Sequence, residues 1–297
     1  LRTQAWSALF TAGSRDVSSF GRLGKLRHAH TMRYRYQDTT MPELPEVETT
    51  RRGLAPHLVG HAVRSVTVRC PALRRPVPPA LASQLTGQTL RDITRRAKYL
   101  LFEFDKGVLL AHLGMSGSLR LVAPDAAPEK HDHIDLNFGH LCLRYRDPRR
   151  FGMLLWLDDS AADNPLRHLG IEPLDDAFDG QWLHRATRKR PTAIKTWLMD
   201  NHNVVGIGNI YAAESLFRAR IHPLTPASRL GPTRCARLAE CVRDTLTAAI
   251  AAGGSSLRDF VGGDGKPGYF QQQYFVYGRD GAPCRICATP IVKISQA

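Results

Sequence analysis

The chain is 297 residues long and carries a formal net charge of +14, from 41 Lys and Arg against 27 Asp and Glu. Its length allows two domains, each with its own core. No stretch approaches the roughly 20 consecutive apolar residues of a membrane-spanning helix. The positive excess argues for a polyanionic partner, nucleic acid above all. It is not confined to one end: residues 1–40 hold seven Lys/Arg and two Asp, which leaves +9 for the rest.

Residues 1–40 begin at Leu1, lack sustained periodicity, and are rich in Arg and Ser. Such composition suits an organelle transit peptide, or upstream sequence translated ahead of the true start. The second fits better, because the segment stops just before a Met that opens a strong motif. We expect it to be disordered or not native. From Met41 the run Pro-Glu-Leu-Pro-Glu-Val-Glu reads as a helix start, with Pro45 in the first turn and Val47, Leu54 and Leu58 on one apolar side. Residues 62–158 read mostly as strands. Ala62–Arg69 and Tyr99–Phe104 are β-rich, and Ile134, Leu136 and Phe138 alternate before a Gly139-His140 turn, as do Leu141, Leu143 and Tyr145 after it. Repeated antiparallel signals without long helices predict a sandwich or barrel.

After about residue 175 the pattern turns helical, near 180–200, 209–219 and 232–252. In the last, Leu238, Val242, Leu246 and Ile250 share one face, and Gly253-Gly254 stops it. A Gly-rich stretch around 261–268 follows, then a strand-like Tyr274–Tyr277 leading to Cys284-Arg-Ile-Cys287. The other four cysteines, Cys70, Cys142, Cys235 and Cys241, lie far apart in apolar contexts and read as buried reduced thiols.

The chemistry centres on Pro42. A small second residue permits removal of Met41, leaving a free secondary amine whose pKa near 8 keeps a useful fraction nucleophilic at neutral pH. Attack on a sugar C1′ gives an iminium that cannot lose its charge by N-deprotonation, so it acidifies the C2′ proton and promotes β-elimination. Glu43 is placed to protonate the sugar ring oxygen or to shuttle a proton. On this heptad alone, an ordinary helix start is the simpler reading. Asp147-Pro-Arg-Arg-Phe151 puts two guanidiniums and an aromatic on a turn, which suits a wedge between base pairs. His131 and His133 flank Asp132 without a fuller ligand set, so a hydrogen-bonding cluster is the simpler reading there. Val205-Gly-Ile-Gly-Asn209 lacks the third glycine of a dinucleotide fingerprint; glycines before a helix start predict a phosphate-binding turn, with Asn209 and Lys195 as neighbours. Lys189 and Arg190 read as solvated charge. Cys284 and Cys287 are half of a zinc ribbon, since two thiolates do not fill a tetrahedral site.

The opening heptad resembles the N-terminus of the formamidopyrimidine-DNA glycosylase family. Further matches follow in order: Arg95-Arg-Ala-Lys-Tyr-Leu, His112-Leu-Gly-Met-Ser-Gly-Ser-Leu, Lys130-His-Asp-His, Asp147-Pro-Arg-Arg-Phe-Gly, Thr192-Ala-Ile-Lys, Val205-Gly-Ile-Gly-Asn-Ile-Tyr-Ala and Asp264-Gly-Lys-Pro-Gly-Tyr-Phe. The resemblance implies an α+β multidomain protein: a catalytic β-sandwich with a flanking helix over 42–168, a linker over 169–178, a helix–two-turns–helix DNA-binding domain over 179–268, and a truncated zinc-finger hairpin over 269–297.

It implies Pro42, Glu43 and Lys98 as catalytic, the lysine assisting proton transfer during elimination. Phe151 becomes the wedge, Arg149 the partner of the orphaned cytosine, Arg150 a phosphate contact and Met115 the filler of the vacated space. His131, Lys189, Lys195 and Asn209 become DNA contacts, and the loop at 261–268 closes over the flipped base. Cys284 and Cys287 would hold one structural zinc with a second cysteine pair that the sequence lacks, as it lacks a late phosphate-gripping arginine.

The implied activity is excision of oxidised purines from double-stranded DNA through a Schiff base, followed by β,δ-elimination at the abasic site. The expected setting is a monomer at the nucleoid in the bacterial cytoplasm, away from membranes. The alternatives are an endonuclease VIII type acting on oxidised pyrimidines, whose N-terminus reads Pro-Glu-Gly-Pro where this chain has Leu44, and a non-catalytic binder of damaged DNA if residues 1–40 stay attached.

Overall fold

The computed structural model describes residues 41–157, 164–255 and 270–295; the head at 1–40 and the Gly-rich 261–268 fall outside them. Helix α1 (Leu44–Leu58) comes first, then β1 (Ser65–Val68), α2 (Leu81–Leu85), β2 (Leu90–Arg96), β3 (Tyr99–Phe104), β4 (Gly107–His112), β5 (Ser118–Val122), β6 (Asp132–Asn137), β7 (Cys142–Arg146) and β8 (Met153–Leu157). The strands form two four-stranded antiparallel sheets, ordered β1-β6-β7-β5 and β2-β3-β4-β8. This is the sandwich that the alternating pattern predicts. Leu100 and Phe102 from one sheet and Ile134, Leu136, Leu143 and Tyr145 from the other meet in one core with Leu54 and Leu58 of α1. Full burial of each such side chain stabilises by roughly 1.5–3 kcal/mol.

The second half contains α3 (Gly180–Thr187), α4 (Ile194–Met199), α5 (Asn209–Arg218) and α6 (Pro232–Ala251) around a core of Phe178, Trp197, Ile210, Tyr211, Leu216, Leu238, Val242 and Leu246. The expected helix over 180–200 is two helices. Pro191 lacks an N–H and disfavours a helical residue before it, so the chain breaks between Thr187 and Ile194. α6 stops at Ala251, followed by Gly253 and Gly254, both at φ +76°. Helix α1 packs on β2 and on α6, so one element serves both cores.

Two expectations need correction. Cys70 and Cys241 are only partly buried, whereas Cys142 and Cys235 are buried as expected. Residues 274–277 form no strand. A strand needs a neighbouring ladder; here the amides of Phe275, Val276 and Tyr277 instead donate to the Glu214 carboxylate at 2.9, 2.9 and 2.8 Å. Considered by itself, the segment from Gly278 onward is a small hairpin with a bridge between Pro283 and Pro290.

Glu214 is completely buried in α5, so its three amide partners satisfy oxygens whose burial would otherwise be costly. We expect Glu214→Ala to lower stability by about 3 kcal/mol, because three donors lose their acceptor together. Denaturant unfolding checks this, and a loss below about 0.5 kcal/mol would mean that the carboxylate is not what orders the segment.

Candidate functional site

The start of α1 is held by the second half of the chain. Pro42 and Glu43 are buried, and the Glu43 carboxylate accepts backbone N–H groups from Gly208 (2.6 Å), Ile210 (2.9 Å) and Tyr211 (3.4 Å) at the head of α5. The Leu44 amide donates to the Gly206 carbonyl at 2.9 Å. A helix N-terminus presents unpaired N–H groups and a positive dipole end, which suits an anion.

The sequence reading gave those amides to a DNA phosphate; in the structure the chain's own carboxylate occupies them. The two glycines have a matching reason. Gly206 sits at φ +78°, and a Cβ there would meet the Leu44 side chain at 2.8 Å. A Cβ on Gly208 would press on Glu43 Cδ at 2.5 Å. The Gly-Ile-Gly spacing thus lets α1 approach rather than a phosphate.

Glu46, one turn along α1, is fully buried and receives the Glu43 amide (3.0 Å), the Tyr211 hydroxyl (2.6 Å) and the Ser255 amide (2.8 Å). Tyr274 Oη donates to Ser255 Oγ at 2.5 Å and completes the network. Burial pushes the Glu46 carboxyl up to about 7, with Tyr211 pulling the other way and the neighbouring Glu43 adding to the rise. Burial likewise raises Glu43, against the opposing charge of Lys98. Glu43 is therefore a carboxyl biased toward its protonated form, next to residue 42. Lys195, half-buried in α4, is shifted down by burial and up by Glu43. The structure thus brings Pro42, Glu43, Lys98 and Lys195 together.

Lys98 lies in the β2–β3 turn, where Ala97 has φ +55°. Beside it, the His112 and Tyr99 rings stand 4.9 Å apart. Burial and then the Lys98 and Arg74 charges lower His112 to about 4, so it is neutral at physiological pH, with Nδ1 accepting the Gly114 amide at 3.0 Å. Arg74 is exposed, and its amide donates to the Gly152 carbonyl at 3.1 Å. Sequence reasoning assigned no role to Glu46, His112 or Arg74. Only Glu46 left a signal, three residues after Glu43 in a capping-box spacing.

The 147–152 turn is a second, separately built feature. Asp147 is completely buried and accepts from Ser116 Oγ (2.7 Å), Tyr145 Oη (3.1 Å) and the Gly152 amide (2.8 Å). Ser116 Oγ also accepts the Arg149 amide at 3.1 Å, which ties the Met115 loop to the turn. Arg149 and Arg150 are exposed; Arg150 has φ +57°, and the Arg149 guanidinium lies 5.0 Å over the Phe151 ring. Phe151 is 46% exposed, an unusual place for a phenyl ring. Met115 is half-buried.

His131, half-buried at φ +76°, and buried His133 have rings 6.4 Å apart, and His133 Nε2 bonds the Asp147 carbonyl at 2.8 Å. Lys189 and Asn209 are exposed. Lys189 lines an open cleft of about 720 Å³ with Arg185, Arg188 and Arg190. In the hairpin the Ile286 amide donates to Cys284 Sγ at 3.4 Å. Cys287 Sγ lies 3.4 Å from Thr289 Oγ1, and hydrogen bonding with Thr289 and Cys284 draws its thiol below the usual value. Among the described residues, no group of three or more His, Cys, Asp or Glu could hold a metal, and no helix is long and apolar enough to cross a membrane.

Family models for the formamidopyrimidine-DNA glycosylase N-terminal domain and H2TH domain match residues 41–154 and 169–261. The formamidopyrimidine-DNA glycosylase of Aromatoleum aromaticum is 60% identical over 255 residues, covering 86% of this chain and 94% of the relative. The structure is similar to that of Lactococcus lactis Fpg bound to DNA containing an abasic site, with a TM-score of 0.78, 36% identity, and coverage of 86% and 95%. It is equally similar to the complex of the Lactococcus lactis enzyme with DNA containing Fapy-dG, at the same TM-score, identity and coverage.

The Glu46 network carries a pH signature. A carboxyl whose folded pKa lies above its unfolded value is most stabilising below the unfolded pKa, so stability falls as pH rises from about 4.5 toward 7. The shift corresponds to at most about 3 kcal/mol. We expect Glu46→Gln to flatten the pH dependence of unfolding free energy between pH 5 and 7; parallel curves for the two proteins would contradict this.

Proposed function

The chain belongs to the formamidopyrimidine-DNA glycosylase family, and from that membership we propose that it removes oxidised purines from double-stranded DNA and then cleaves the strand. The lesions are 8-oxoguanine and ring-opened formamidopyrimidines, and cleavage follows by β,δ-elimination at the abasic site. The observation that carries the mechanism is the buried Glu43 carboxyl, biased toward its protonated form and fixed directly beside residue 42.

Once Met41 is removed, the Pro42 nitrogen is a secondary amine with a lone pair. It attacks C1′ of the damaged nucleotide, the C1′–N bond breaks, and the base leaves with a proton. Glu43 gives its proton to the sugar ring oxygen, which opens the ring and leaves the N–C1′ bond as an iminium. That cation acidifies C2′; loss of the C2′ proton expels the 3′ phosphate, and a second elimination expels the 5′ phosphate. Lys98, whose charge opposes only part of the rise that burial causes in Glu43, assists the proton transfers.

Phe151 wedges into the duplex, Arg149 bonds the orphaned cytosine, and Met115 fills the space of the flipped nucleotide. Arg150, His131, Lys189, Lys195 and Asn209 contact the backbone. Cys284 and Cys287 would supply two of the four ligands of a structural zinc; the amide bond onto Cys284 and the lowered Cys287 thiol fit ligation, and zinc would rigidify the hairpin. This reading sets the enzyme at the nucleoid in the cytoplasm, with oxidised duplex DNA as its partner.

Borohydride trapping on a duplex with 8-oxoguanine opposite cytosine tests the chemistry. Chains whose measured mass corresponds to a Pro42 N-terminus should give a covalent protein–DNA adduct, and Pro42→Gly should trap at least tenfold less. Equal trapping by chains that retain residues 1–40 would contradict the proposal, because Pro42 would then be a tertiary amide.

A further inference from the structure

We propose that Glu172 is a positioning residue for Lys98, fixing the turn that carries the lysine at a set distance from Glu43. Glu172 precedes the helices of the second half, yet its carboxylate faces the β2–β3 turn. Oε1 accepts the Ala97 amide at 2.6 Å and Arg96 Nη1 at 2.8 Å, and Oε2 accepts Arg95 Nη1 at 2.9 Å. Ala97 is in the left-handed region at φ +55°, a conformation a residue with a Cβ adopts at a cost of roughly 1–2 kcal/mol. Its amide is held by the shortest of these three bonds. The carboxylate also neutralises two guanidiniums beside Lys98, Arg95 and Arg96, that would otherwise repel it. Arg95 reaches Glu48 of α1 at 3.4 Å, and the Arg96 guanidinium donates to the Leu169 and Gly170 carbonyls.

The connection continues from Glu172 to Glu43 through backbone alone. Ile171 pairs with the chain before α5: its amide donates to the Asn203 carbonyl at 3.1 Å, and its carbonyl receives the Val205 amide at 3.0 Å. The next residue, Gly206, receives the Leu44 amide, and Gly208 donates to Glu43. Lys98, Ala97, Glu172, Ile171, Val205, Gly206, Leu44 and Glu43 thus form a continuous series of covalent and hydrogen-bonded links between two groups whose charges already sense each other. Both halves of the chain contribute to it, so Glu172 sets a separation that neither half could fix alone. A misplacement of about 1 Å between reacting groups can cost up to roughly a hundredfold in rate.

The catalytic consequence rests on the glycosylase reading, but the positioning is testable without it. In the full chain, reductive methylation of each lysine is followed by peptide mass spectrometry, with the exposed Lys106 and Lys130 as internal references. We expect Glu172→Ala to raise the rate at half-buried Lys98 severalfold and leave the references unchanged. Glu172→Gln keeps one acceptor oxygen for the Ala97 amide and should stay near the wild-type rate. Should Glu172→Ala unfold, Glu172→Asp, one methylene shorter, must show the same Lys98-specific rise. An unchanged Lys98 rate in the folded variant overturns the proposal.

Cleavage of abasic duplex DNA by chains whose N-terminus is Pro42 supplies the second readout. Glu172→Ala should slow it roughly ten- to hundredfold, yet cost nothing further in a Lys98→Ala background; losses that multiply would also overturn the proposal. If the wild-type chain leaves abasic DNA uncut, the glycosylase reading fails, while the labelling contrast still decides the role of Glu172.

Discussion

The Glu43 carboxylate, received by three amides at the head of α5, joins the two cores of this protein at the residue that follows Pro42. Burying a carboxyl is costly unless its oxygens are satisfied, and few places offer as many free donors as a helix start. The fold supplies that place from a segment 165 residues away in the sequence. The Gly206 and Gly208 backbones approach closely enough to admit Leu44 and Glu43, and a side chain at either position would block them. Residue 42 is thereby held between the sandwich and the helices, where neither half could place it alone.

The same burial that fixes Glu43 raises its pKa, so one arrangement sets both its position and its affinity for a proton. Glu46 extends the pattern, linking the Glu43 amide to Tyr211, Ser255 and, through Ser255, Tyr274. The 147–152 turn is built by different means: buried Asp147 collects Ser116, Tyr145 and Gly152 and leaves Phe151 exposed. The Phe151 turn and the groups around residue 42 therefore rest on separate hydrogen-bonded networks. Each presents its side chains from backbone fixed by several hydrogen bonds, the kind of support that a precisely placed reactive group needs.

Much of this was legible from local pattern. The alternation around Ile134 and Leu143 marked the sandwich, the one-faced apolar repeat of α6 marked the helical half, and seven motifs in order carried the family. Phe151 stood out because an aromatic directly after two arginines on a turn has no core to enter. What stayed hidden was long-range pairing. The Gly-Ile-Gly turn read as a phosphate cradle because free amides before a helix imply an anion, and nothing local reveals that the anion is Glu43. Residues 274–277 read as a strand because β-prone side chains do not disclose that their amides belong to Glu214. Glu172 gave no signal, since one of three acids in a linker looks solvated until the Ala97 turn is folded against it.

The joining of the two halves through Glu43 is tested most directly by backbone amide exchange, residue by residue, in the wild-type chain and in Glu43→Ala. If the carboxylate receives the amides of Gly208, Ile210 and Tyr211, those three exchange slowly in the wild type and lose protection selectively in the variant. The Ala212 amide, which bonds the Gly208 carbonyl within α5, should keep its protection. Equal protection of the three amides in both proteins would show that something other than Glu43 caps α5, and that residue 42 is not held in the way described.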